Sequence, residues 1–169
     1  MLKHGNGIPK NSSEAIRYYK MAIEKGNASA MYNYACMLEE GKGIPKNSSE
    51  AVRYYKMAID KGNAYAMNKY AYMLKEGKGI PKNSSEAVRY YKMAIDKGDA
   101  SAMYNYAIML EEGKGIPKNS SEAVRYFKME IDKGNADAMN IYAHMLKEGK
   151  VIPKNSSEAV RYYKMAIDK

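Results

Sequence analysis

Apolar positions recur along the chain in two alternating helical patterns. Between Ser48 and Lys61, Ala51, Tyr54, Tyr55, Ala58 and Ile59 share one side of a helical wheel, and Arg53, Lys56 and Asp60 share the other. Between Ala64 and Glu76 the apolar stripe is Ala66, Met67, Tyr70, Met73 and Leu74, with Ala71 small enough for close helix approach. The first pattern, type B, is predicted to begin behind an Asn47 cap with Glu50 at the N3 position, as in a capping box, and to end at Gly62 in the left-handed C′ conformation. The second, type A, is predicted to end at Gly77. The link Gly77-Lys78-Gly79-Ile80-Pro81 then reads as a short turn, with glycine supplying backbone freedom and proline preventing helix continuation.

This unit repeats. Pro9, Pro45, Pro81, Pro117 and Pro153 are each 36 residues apart, and the same step relates Gly26, Gly62, Gly98 and Gly134. A period of this size marks a solenoid, in which each unit buries its apolar face only against its neighbours. The expected fold is an all-α solenoid of 36-residue helix-turn-helix repeats, one array over 1–169: a partial 1–25, then 26–61, 62–97, 98–133 and 134–169. Nine complete helices are expected, five of type B and four of type A. Met1 aligns with Met37, and Lys169 stands where another glycine would follow, so the expectation is a segment of a longer array. Tyr32-Asn33-Tyr34-Ala35 returns as Tyr104-Asn105-Tyr106-Ala107, which points to duplication of a 72-residue block.

Ala30, Gly41, Gly43, Ala51, Tyr55, Ala58 and Gly62, with Ile44-Pro45-Lys46 between them, resemble the Sel1-like repeat, a relative of the tetratricopeptide repeat. The resemblance covers essentially the whole chain. It departs from the family pattern at Tyr34-Ala35 (usually Leu-Gly), Leu38 (Tyr), Asn47 (Asp) and Tyr54 (Trp), all of which keep size or capping ability. It implies a right-handed superhelix with helix A lining the concave surface, and an adaptor that holds protein complexes together, often within a larger multidomain protein. The family's disulfide-linked subgroup is excluded by the single cysteine, Cys36.

The copies differ mainly on one face of helix A. The variable positions are Ser29, Tyr32, Asn33, Cys36 and Glu39; then Tyr65, Asn68, Lys69, Tyr72 and Lys75; then Ser101, Tyr104, Asn105, Ile108 and Glu111; and finally Asp137, Asn140, Ile141, His144 and Lys147. Offsets of 0, 3, 4, 7 and 10 put them opposite the Ala30/Tyr34/Leu38 stripe. They are read as a groove for an extended peptide or a partner helix. Tyr32, Tyr72 and Tyr104 would be its anchors, and Glu39, Lys75, Glu111 and Lys147 an alternating charge row that steers more than it strengthens. Neutral drift on a solvated face is the alternative. It predicts similar variation on the outer face of helix B, where Arg53, Lys56 and their counterparts do not change.

Composition narrows the chemistry. The chain carries 28 Lys+Arg against 19 Asp+Glu, a net charge of +9, yet the excess is uneven: seven basic and three acidic residues from Pro45 to Ile80, five of each from Pro81 to Ile116. That is no continuous footprint for nucleic acid, and the repeated Arg53-Tyr54-Tyr55-Lys56 turns its tyrosines inward. Gly41-Lys42-Gly43 lacks the spacing of a phosphate loop and reads as turn chemistry. In the last copy Val151 replaces the second glycine, so either that position tolerates a side chain or the turn is distorted. His144 and Asp137 stand too far apart in sequence for a metal pair, Cys36 has no base beside it, and His4 is the only other histidine. No catalytic set, cofactor motif or metal site is expected.

No apolar run approaches the length of a membrane span. The Asn-Ser-Ser sequons at Asn11, Asn47, Asn83, Asn119 and Asn155, with Asn27-Ala28-Ser29, read as helix caps in a cytoplasmic protein, or as glycosylation acceptors if the parent is secreted. The expected role is a non-enzymatic protein-interaction scaffold. The alternatives are a structural array that self-associates through exposed ends, or a regulatory segment of a larger protein.

Overall fold

The computed structural model describes residues 12–169; Met1, His4, Pro9 and Asn11 lie outside the described residues. Among the described residues the regular structure is helical throughout: α1 (Ser12–Glu24), α2 (Ala28–Glu40), α3 (Ser48–Asp60), α4 (Ala64–Glu76), α5 (Ser84–Asp96), α6 (Ser101–Glu112), α7 (Ser120–Asp132), α8 (Ala136–Glu148) and α9 (Ser156–Ile167). Odd-numbered helices are type B and even-numbered type A. Each A helix packs most extensively on the B helix that follows it, so the hairpin closed by the Gly-Lys-Gly turn is the structural unit. Among same-type pairs in the described residues, α4 and α6 also touch, so successive A helices approach one another there.

The helix ends follow from local chemistry. Asn47 Oδ1 accepts from the Glu50 amide at 3.0 Å, and Asn83, Asn119 and Asn155 do the same in their copies. The Glu at N3 does not return to the cap's backbone, as a capping box would have it. It accepts instead from the Asn side-chain amide, at 3.2 Å for Asn83 and Glu86. The reason lies one helix back: the Asn83 N–H is already given to the Leu74 carbonyl of α4 at 2.9 Å. One asparagine thus ends a turn, opens a helix and binds two helices of the hairpin together. At the other end of α3, Gly62 has φ 82°, Asn63 N–H reaches the Ala58 carbonyl at 3.0 Å and Gly62 N–H that of Ile59 at 2.8 Å, a Schellman arrangement. α6 is the exception, because Asp99 stands where the others have Asn; its carboxylate caps Ser101 N at 3.0 Å and the helix starts one residue late.

The core runs unbroken along the stack. Tyr55, Tyr91 and Phe127 of the B helices are fully buried, and Ala51, Ala87 and Ala123, with Ala71, Ala107 and Ala143, lie where helices come closest. Val52, which the wheel left off the apolar side, is also buried and belongs to the core. Beside this core, Tyr34, Tyr70, Tyr106 and Tyr142 meet Tyr54, Tyr90, Tyr126 and Tyr162 edge to face, with ring centres 4.8–5.3 Å apart. The outward Arg53 lies 4.9 Å over the Tyr54 ring and Lys56 5.5 Å over Tyr70, and their counterparts repeat this along the array. The constancy of the basic outer face of helix B therefore has a packing cause: its cations roof an aromatic ladder.

The second glycine of each turn explains the last repeat. Gly79 and Gly115 both have φ 73°, and a Cβ on Gly115 would lie 2.3 Å from the Ser84 carbonyl carbon at the start of the preceding B helix. Among the described residues no non-glycine residue has positive φ, so Val151 takes another conformation and the last turn departs from its siblings. Of the two readings of Val151, distortion is the one observed, as expected for a β-branched residue. Gly115→Ala should lower stability by more than about 1 kcal/mol, since both the backbone conformation and the space refuse a methyl group; thermal melts against the parent chain measure it. Asn83→Ala should cost about 1 kcal/mol by the same measurement through loss of the cap, and an unchanged melt would remove the asparagine from the role given above.

Candidate partner-binding groove

The variable positions of α2, α4, α6 and α8 form adjoining strips of one surface. Ser29, Ser101, Asp137, Asn140, His144 and Lys147 are exposed, as is Tyr65 at 62%. Tyr32, Asn33, Cys36, Glu39, Asn68, Lys69, Tyr72, Lys75, Tyr104, Asn105, Ile108, Glu111 and Ile141 are half-buried, and of these Tyr32, Cys36, Tyr104, Ile108 and Ile141 pack against the core. Tyr32, Tyr65, Asn68, Lys69, Tyr72, Ser101 and Asn105, from three successive A helices, line an open depression of about 360 Å³. Tyr32 and Tyr65 meet across its edge with ring centres 6.0 Å apart. Tyr104 and Ile108 lean on the core instead, Tyr104 with its ring 6.2 Å from that of Phe127. Glu111 and His144 share a smaller hollow of about 130 Å³ with Met145, Glu148, Lys150 and Val151.

Beneath the first strip lies a polar network anchored in the core. The Tyr55 hydroxyl donates to Glu39 Oε2 at 2.7 Å, and Lys69 Nζ approaches the same oxygen at 3.2 Å from the next repeat. Cys36 Sγ lies 3.3 Å from that hydroxyl; the phenol has one proton and the carboxylate takes it, which leaves the thiol as donor in its contact. Burial, then these two hydrogen bonds, push the Tyr55 pKa well above its ordinary value, so the hydroxyl stays protonated at any physiological pH. Burial also raises Tyr32, with Cys36 the next contributor.

The network does not repeat. At Tyr91 the counterparts of Cys36 and Glu39 are Tyr72 and Lys75, and the buried Tyr91 hydroxyl has no partner. In the third repeat Phe127 has no hydroxyl, and Glu111 pairs with Lys118 at 3.3 Å while its Oε2 is left buried and unbonded. The alternating charge row is thus replaced by local pairs. Glu39 is held by Tyr55 and Lys69, and Lys75 by its neighbour Glu76 at 3.3 Å, because these partners lie nearer than the next member of the row. Two residues important to this surface were read otherwise from the sequence: Tyr55 as core alone, and Lys78 as a turn residue. Lys78 donates to the Tyr72 hydroxyl at 2.9 Å. The available signal was the coincidence of Tyr72 and Lys75 in the one repeat that has both.

The Sel1 repeat family model matches residues 1–27, 28–63, 64–99, 100–135 and 136–169, and so the whole chain. These windows carry the same 36-residue period, with each internal boundary falling two residues after the glycine used above. Among solved structures the chain is similar to a Sel1 repeat protein from Oxalobacter formigenes, with 33% identity and a TM-score of 0.85 over 96% of this chain and 67% of that one. It is similar in fold to c5321, a protective antigen of uropathogenic Escherichia coli (24%, TM-score 0.85), covering 90% of this chain and 33% of that one. It is also similar in fold to the Helicobacter pylori cysteine-rich protein B (24%, TM-score 0.60), over 81% and 98% of the two chains. The chain therefore spans about two thirds of the first of these and one third of the second. No curated protein matches it.

The two buried tyrosines give opposite expectations. Tyr55→Phe removes a hydrogen bond to a half-buried carboxylate and should lower stability by about 2 kcal/mol. Tyr91→Phe removes a hydroxyl that has no partner and should raise stability by about 1 kcal/mol. Denaturant midpoints of the two variants, read against the parent, measure the pair; a Tyr55→Phe midpoint at or above the parent's would mean that the network contributes nothing.

Proposed function

The chain belongs to the Sel1 repeat family, whose members generally act as protein-interaction scaffolds, and on that premise we propose that it binds a polypeptide along the concave face formed by its A helices. The single observation that supports this most directly is the depression shared by α2, α4 and α6. It is lined by residues at the positions where otherwise near-identical repeats differ. An invariant scaffold with a varied lining is what selective recognition requires. The tyrosines there offer contact area at low entropic cost, and Asn68 and Asn105 offer donors and acceptors for a peptide backbone. No helix among the described residues is long and apolar enough to cross a membrane.

The constancy of the outer face of the B helices does not by itself argue for the groove, since the aromatic ladder already requires it. The support rests on where the variation gathers.

Tyr65→Ser combined with Tyr72→Ser should leave the helical content and melt nearly unchanged, because neither ring is buried in the core. The same variant should lose any polypeptide that the parent chain retains in a pull-down from the source cell. Equal retention by both chains would move the binding surface away from the A helices.

A further inference from the structure

The turn lysines behave alike in three repeats and differently in one. Lys42 pairs with Glu40, Lys114 with Glu112 at 3.0 Å, and Lys150 with Glu148 at 3.4 Å, each holding its ammonium at the rim of its own turn. In the second repeat Lys75 takes Glu76, and Lys78 turns instead onto Tyr72 in the groove. Lys78 Nζ lies 4.7 Å from the centre of the Tyr72 ring, with Lys69 at 5.8 Å and Lys75 at 5.9 Å. Three ammonium groups thus surround one tyrosine on the wall of the depression. The hydrogen bond to Tyr72 raises the Lys78 pKa above its ordinary value, so the charge persists at any physiological pH.

The carboxylates facing this cluster do not neutralise it. Glu39 is shared between Lys69 and the Tyr55 hydroxyl. Glu76 holds Lys75 through a partly exposed pair of the kind that contributes little and yields to a competing anion. Lys78 makes no ion pair among the described residues. It also lines a second hollow of about 350 Å³, whose other walls include Glu39, Lys46 and Ser48. Lys46 likewise has no ion pair there. Tyr72 on the wall of the first depression and Lys78 on that of the second therefore join the two, and the second holds two ammonium groups, Lys46 and Lys78, without an ion pair among the described residues.

Resting on the groove reading above, we propose that the polypeptide bound there is an acidic segment whose carboxylates are held by Lys75 and Lys78 beside Tyr72. Its apolar side chains would lie against Tyr32 and Tyr65. A nucleic acid fits this surface less well, because Glu39, Glu111 and Asp137 interrupt the A-helix face to either side of the lysines.

A random dodecapeptide library displayed on phage and selected on the folded 169-residue chain provides the test, with anisotropy of labelled synthetic peptides as readout. The expected result is enrichment of Asp and Glu, with binding weakened about tenfold both by Lys75→Ala with Lys78→Ala and by Asn/Gln replacement of the peptide's acids. Peptides that lack acidic residues, tolerate the lysine variant and are lost on Tyr65→Ser with Tyr72→Ser would overturn the acidic inference while leaving the groove standing. Failure to enrich any peptide sensitive to those tyrosines would overturn both. Preferential binding of a labelled single-stranded oligonucleotide at the same lysines would replace the peptide with a nucleic acid.

Discussion

No single hairpin of this chain can bury its own apolar surface, and every other feature depends on how neighbouring hairpins solve that problem. The solution is a large ring set among small residues. Tyr55, Tyr91 and Phe127 fill the space between successive A helices, and alanines with no accessible surface let the helices approach. Ala51, Ala71 and Ala107 are fully buried, so a larger side chain there would have to push neighbouring helices apart. The glycines of the turns obey the same constraint. Gly79 and Gly115 are needed because the following turn is pressed onto the start of the previous B helix. Where Val151 stands instead, the backbone gives up the positive φ, while the Asn155 N–H still reaches the Leu146 carbonyl as in the other hairpins.

That fixed spacing is what allows near-identical repeats to carry a non-identical surface. The outer side of helix B is bound to its sequence because Arg53, Lys56 and their counterparts cover the tyrosine ladder. The variable side of helix A has no such duty at most positions, so substitutions there alter chemistry without altering the stack. The Tyr55–Glu39–Lys69 network is the exception. It ties the first strip of the A-helix surface to the core below and to the strip beside it, where its siblings have an unpartnered Tyr91 hydroxyl or a phenylalanine. Polar contacts are thus unevenly distributed along a regular scaffold.

The proposed recognition has a corresponding division of labour. Aromatic rings with little freedom supply contact area, and the asparagines meet a peptide's backbone. The lysines around Tyr72 add sign. Charge in such a rim governs encounter and the rejection of wrong partners more than it adds affinity. The net charge of +9 is in this respect less informative than one lysine that leaves its turn carboxylate for a groove tyrosine.

The helices, their caps and the 36-residue period are local matters, and they can be read from the sequence: apolar spacing sets a helix face, Asn47 opens a helix and Gly62 closes one within a few residues of chain. The family follows from the same residues, since their recurrence is the fold. The ownership of polar contacts was decided only in three dimensions. Whether Glu39 faces Lys75 in a row or Lys69 in a pair depends on which ammonium reaches it at about 3 Å, a distance set by inter-repeat spacing. Capping shows the same split. Asn83 was recognisable as a cap, but its backbone N–H is claimed by Leu74 across the hairpin, so Glu86 turns to the side chain instead. Secondary structure is specified by neighbours in sequence, whereas hydrogen bonds and ion pairs between repeats depend on fractions of an ångström that only the packed stack fixes.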